Sequence, residues 1–142
     1  MKKFTSLLLI LVLIFSVATP TLAKAADQPT PRYANISTFA GDLSISSSAV
    51  ASCYGYVSAS SYLPVKVVVK LQIYQGGDWV TEKTWTSTGM AAAGVSETYN
   101  LAYGNNYRVE VTGYVYDNNG NELERDSLTD AQYCPWPTRN VE

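Results

Sequence analysis

Two cysteines, Cys53 and Cys134, are the only thiols in a chain of 142 residues that has no histidine. Without an imidazole, Ser-His-Asp and Cys-His nucleophilic catalysis are excluded, as are His-ligated metals and a switch that titrates near neutrality. Two thiolates alone fall short of the four ligands of a structural zinc site. Glu122, Glu124 and Asp126 alternate along one strand face, and paired carboxylates are the apparatus of glycoside hydrolysis. That chemistry also needs a cleft and an acid from a second element, and nothing marks either. The three acids therefore read as a charged, solvated strand edge that discourages aggregation. Asp117 to Glu122 (DNNGNE) has the composition of a calcium loop. An EF-hand requires Gly at its sixth place and Glu at its twelfth; here Gly120 is fourth and Leu128 twelfth, so an Asn-Gly hairpin turn accounts for it. No catalytic residue, metal-ligand set or cofactor is expected.

The remaining side chains with recognition chemistry are aromatic: eleven tyrosines and three tryptophans. Tyr54 and Tyr56 alternate opposite Cys53, and Tyr114 and Tyr116 alternate opposite Val109, Val111 and Val115. These four tyrosines are the candidate binding surface, able to stack on sugar rings or anchor a protein partner. The plainer reading is that tyrosine forms strands well on a wet face, with Lys66 or Lys70 lying over the rings.

The elements that carry these residues read in period two. Strands are expected at Tyr33–Ser46, Val50–Ala59, Val65–Tyr74, Trp79–Trp85, Val95–Leu101, Tyr107–Tyr116 and from Glu122 to Leu128 or slightly beyond. The third is the clearest, with Val65, Val67, Val69, Leu71 and Ile73 inward and Lys66, Lys70 and Gln72 outward. Gly41 and the out-of-phase Ile36 mark a bend or bulge in the first. Gly76-Gly77 turns the third strand into the fourth, whose poor alternation suits an edge, and GMAAAG (89–94) reads as a loop. The small inward residues Ala51, Cys53 and Gly55 leave room for bulky ones on a facing sheet. Short half-buried strands with Gly/Asn turns predict an all-β, antiparallel two-sheet β-sandwich of about seven strands, with a closed barrel as the alternative.

Residues 1–25 have the pattern of a signal peptide: Met1-Lys2-Lys3, the apolar run Leu7–Ala18, Pro20, and the small-x-small site Ala23-Lys24-Ala25. Residues 26–32 form a lead-in, 33–130 the sandwich, and 131–142 a C-terminal tail. Export is expected, to the exterior or to loose association with the envelope. In that setting Cys53 and Cys134 are expected to form a disulfide that tethers the tail, with Trp136 packed beside it; two free structural thiols are the alternative. Downstream of residue 25, seven basic residues face twelve acidic ones, a poor match for nucleic acid or for an anionic membrane.

Leu101-Ala102-Tyr103-Gly104-Asn105-Asn106-Tyr107-Arg108-Val109 fits L-x-x-G-x-x-Y-x-V, which resembles the E–F corner of fibronectin type III and immunoglobulin-like domains. The resemblance implies that Tyr107 is a corner tyrosine bonded to upstream backbone, with Leu101 and Gly104 shaping the corner. Cys53 stands where fibronectin domains usually place Trp, and Val109 where antibody domains place the second Cys. The chain also resembles small secreted β-sandwich proteins of clostridia and related Gram-positive bacteria, through a loose Gln-x-x-x-Gly-x-Trp stretch at Gln72–Trp79. Those proteins share no agreed activity, so the resemblance carries over no functional residue. The expected role is non-catalytic interaction outside the cell or at its envelope, through a protein or cell-surface glycan partner. A carbohydrate-binding module, and a secreted toxin, bacteriocin or inhibitor, are the alternatives.

Overall fold

Strict alternation of apolar and polar residues is strongest where a strand is paired on both edges and covered on one face. Two segments meet that condition best. Val65, Val67, Val69, Leu71 and Ile73 are buried, as are Tyr107, Val109, Val111 and Val115. They are the two central strands of one sheet. The computed structural model describes residues 33–139, in seven strands: β1 (Ile36–Ile45), β2 (Val50–Ala59), β3 (Pro64–Gln75), β4 (Asp78–Met90), β5 (Ala92–Asn100), β6 (Asn105–Tyr116) and β7 (Glu122–Cys134). A three-stranded sheet runs β1-β2-β5 and a four-stranded sheet β4-β3-β6-β7, with every pairing antiparallel. The architecture is therefore the expected β-sandwich, with two separate sheets rather than a closed barrel. The signal-peptide and lead-in readings fall on residues 1–32 and lie outside the described residues.

The sheets meet through residues of unequal size. A β-carbon on Gly55 would stand 2.4 Å from Val69 Cγ2 and 2.9 Å from Val111 Cγ1. The bare backbone of β2 is thus the hole into which the valines of β3 and β6 project. Gly41 serves the same purpose against Val111 and Leu128. The irregularity in β1 lies between Ile36 and Thr38, so the bulge is real but Gly41 marks a close approach instead.

The fourth strand is longer than its weak alternation suggests. Pairing with β3 carries it from Asp78 to Met90 across an irregularity beside Leu71 and Gln72. The expected loop at 89–94 shrinks to Ala91, which adopts a left-handed φ of 65°. Backbone bonds from Ala91 to Leu63 and from Ala59 to Ala91 hold this crossover between sheets. As expected, β4 is an edge.

Carboxylates close the side of the sandwich where β1 faces β7. Glu124 accepts the N–H groups of Ala34, Asn35 and Ile36 at 3.1, 2.6 and 2.8 Å. Asp130 accepts the Leu43 N–H at 2.9 Å, and Gln132 Nε2 donates to the Leu43 carbonyl at 2.6 Å. Tyr33 donates to Asp126. Two of the three acids read as a solvated ladder, Glu124 and Asp126, are instead fasteners for the first strand; Glu122 pairs with Arg125 at 3.2 Å. Burial alone would raise the Glu124 carboxyl, but its three N–H donors together outweigh burial and hold it below the ordinary carboxylate range.

The expected disulfide is not formed: Cys53 and Cys134 are both buried free thiols. The two thiols sit on different sheets. Cys53 lies opposite Leu43, and Leu43 meets Asp130 and Gln132, whereas Cys134 is two residues further along, at the end of β7, opposite Asn105. Residues 131–134 accordingly belong to the sheet, not to a tail. Trp136 is held without sulfur. It stacks on Tyr103 with centroids 5.9 Å apart and stays 68% exposed, while Gly104 N donates to Cys134 O at 2.7 Å. Gly104, at φ +79°, leaves no room for a β-carbon beneath that indole. Burial pushes the Cys53 thiol up to about 11 and Cys134 also upward, so neither is a reactive thiolate near neutrality. A thiol reagent at pH 8 should label neither cysteine in the native protein and both in denaturant. An intact mass two protons light, with no thiol released on unfolding, would contradict the free pair.

Candidate functional site

The corner residues are structural. Tyr107 is fully buried; its hydroxyl donates to Ala102 O at 3.2 Å and accepts from Ala102 N at 3.0 Å. Leu101, half-buried just past β5, donates its N–H to Ala49 O. The expected bond to upstream backbone is present, and it pins the crossover from β5 to β6.

The four candidate surface tyrosines do not share a surface. Tyr54 and Tyr56 lie on the outer face of the three-stranded sheet, where Tyr56 stands opposite Gly94 and Tyr54 opposite Ser96. Tyr114 and Tyr116 lie on the outer face of the four-stranded sheet, stacked at 6.1 Å with planes 12° apart. Period-two reading assigns each residue a side of its own strand, but not which sheet the strand joins. The expected lysine is Lys66, whose Nζ sits 4.3 Å from the Tyr114 ring centre and 5.5 Å from that of Tyr116. A hydrogen bond with Tyr116 is the main cause holding its pKa above the ordinary lysine value. These two rings are already engaged by a cation, on a surface only half-exposed.

The other end of the same face carries an open groove of about 300 Å³, lined by Tyr74, Trp79, Asn106, Ala131, Gln132 and Tyr133. Its construction follows from the strand order. Gly76 and Gly77 take positive φ values of 61° and 90°, a two-residue turn that sets Tyr74 opposite Trp79. Their rings pack at 5.1 Å, tilted 56°. Across β6, Asn106 stands opposite Tyr133 of β7. Short Asn106 and Ala131 thus lie between tall aromatic walls. Tyr74 is 45% and Tyr133 52% exposed, so both rings offer surface to the groove.

A polar chain fixes the Trp79 wall from below. Arg108 Nε donates to Gln72 Oε1 at 2.7 Å, and Gln72 Nε2 donates to Thr81 Oγ1 at 3.1 Å. Gln72, buried within the outer face, has its amide satisfied on both sides. The Arg108 guanidinium lies 4.5 Å from the Trp79 ring centre and 4.0 Å from Glu110, which also pairs with Lys70 at 3.4 Å. The arginine positions the indole and is itself occupied, so its charge is not offered to the groove. Among the described residues no group of three acids or cysteines converges as a metal site would require.

Tyr74, Trp79 and Tyr133 were not among the sequence candidates. The signal for the first two was present: Tyr74 follows inward Ile73, and a Gly-Gly turn mirrors it onto Trp79. Tyr133 lies in the segment 131–142, whose sequence reads as a tail, whereas β7 runs on to Cys134. No protein-family model matches the chain, and no curated protein matches it.

Proposed function

We propose that this protein is an exported, non-catalytic interaction module that engages a partner outside the cell or at its envelope through the outer face of its four-stranded sheet. The observation that carries the reading is the groove between Tyr74, Trp79 and Tyr133, where the exposed rings of Tyr74 and Tyr133 and the half-buried Trp79 stand on paired strands rather than on loops. Binding surfaces concentrate aromatic side chains because they bring large contact area at small entropic cost. The division into three and four strands, with a corner tyrosine between β5 and β6, supports an immunoglobulin-like or fibronectin type III-like variety of sandwich. The N-terminal charge-apolar-small pattern supports export.

Retention at the cell surface tests the proposal. Full-length protein expressed from its own leader in a Gram-positive bacterium should appear outside the membrane, with a fraction sedimenting with washed cells. Tyr74→Ala/Tyr133→Ala should shift that fraction into the medium by tenfold or more, while Tyr54→Ala/Tyr56→Ala, on the other sheet, should not. Equal partitioning of wild type and the groove variant, or retention of the protein in the cytoplasm, would defeat it.

A further inference from the structure

We infer that the groove between Tyr74 and Tyr133 is a binding site for an uncharged saccharide, with a sugar ring stacked between the aromatic walls and its hydroxyls met by the Asn106 amide. This rests on the reading that the outer face of the four-stranded sheet is the interaction surface, and it names the chemistry of the occupant.

Spacing, charge and hydrogen bonding carry the inference. Tyr74 on β3 and Tyr133 on β7 are separated by two strand spacings, or about 10 Å. A saturated ring touching an aromatic face on each side needs two contacts of about 4.0–4.5 Å, which fits that gap. Among the described residues no charged side chain lines the groove. Arg108, which stands opposite groove residue Ala131, is bound to Gln72, close to Glu110 and laid on Trp79. An anionic polymer would therefore find no free positive charge, and an uncharged lining selects an uncharged ligand.

The polar groups point the same way. Among the described residues the exposed Asn106 amide has no hydrogen-bond partner, whereas the Gln132 amide is turned to the other sheet by its bond to Leu43 O. The groove thus offers both donors and acceptors. A sugar hydroxyl can satisfy either. A proline-rich peptide, the other ligand that favours aromatic grooves on sheets, presents carbonyls but few N–H groups. It would leave the Asn106 amide oxygen unmatched.

The test is a titration of the full-length mature protein with cellohexaose, xylohexaose, mannohexaose, chitohexaose and decaproline, followed by tryptophan fluorescence, since Trp79 lines the groove. At least one hexasaccharide should give a saturable change. Tyr133→Ala and Asn106→Ala should each weaken binding tenfold or more without moving the thermal midpoint, because both side chains are exposed. Tyr54→Ala should leave it unaltered. Decaproline binding with none from the four hexasaccharides would overturn the saccharide assignment. So would saccharide binding that survives Tyr74→Ala and Tyr133→Ala. If no hexasaccharide binds while surface retention still depends on the groove tyrosines, the occupant is wrong and the interaction surface stands. If retention is also indifferent to those tyrosines, both fail.

Discussion

Tyr107→Ala should lower the unfolding free energy by about 3–5 kcal/mol, the range for emptying a packed aromatic site. The residue is fully buried between the sheets, and its hydroxyl is bonded to both the N–H and the carbonyl of Ala102. Tyr107→Phe separates the two contributions. It keeps the ring and removes only the hydroxyl, and should cost about 1 kcal/mol through the bonds lost at Ala102. Urea unfolding measures both, with the slope unchanged if the folded state keeps its shape. A Phe variant as stable as the wild type would show that the ring, and not its bond to the corner, carries the effect.

Glu124→Ala is expected to cost roughly 2 kcal/mol, because three backbone N–H groups lose one shared acceptor. The figure is well below three full charge-assisted bonds, since water reaches this seam. The same carboxylate sets a pH dependence with a definite sign. Its folded pKa is lowered, so the folded state favours the ionised form. The contribution is complete above the unfolded value of about 4.3 and is lost as the pH falls through the lower folded value. Glu124→Gln retains an acceptor oxygen without the charge. Wild type should exceed this variant in urea midpoint at pH 7, and the two curves should converge towards pH 3. Curves that stay parallel throughout would assign the acid sensitivity to other groups.

The sheet assignment of each side chain was legible where burial is one-sided and repeated. Val65, Val67, Val69, Leu71 and Ile73 all point inward, and Asn119-Gly120 and Gly76-Gly77 announce their turns, since Gly120, Gly76 and Gly77 all take positive φ. Asp117 confirms the first of these turns by accepting from Asn119 and Asn121. What was not legible is non-local. Nothing near Glu124 in the sequence says that its partners are residues 34 to 36. Nothing near Tyr54 and Tyr114 says that their strands enter different sheets. The disulfide expectation is non-local as well: cysteine count and compartment argue for a bond, but the distance between two sulfurs is set by the fold, and both thiols are free. The groove was half legible, because its Tyr74–Trp79 wall is local to one hairpin, whereas Tyr133 arrives from the far end of the chain.

The fasteners between the first and last strands also have a direction. Ile36 meets Glu124 and Leu43 meets Asp130, so residue numbers rise together and β1 and β7 run parallel along this seam. A pull applied at residue 33 and residue 139 therefore drags the two strands past each other lengthwise. The contacts of Glu124, Asp130 and Gln132 take that load side by side, in shear, rather than one after another as in a zipper. Tension between the two ends of the sandwich is thus met along its mechanically stronger axis.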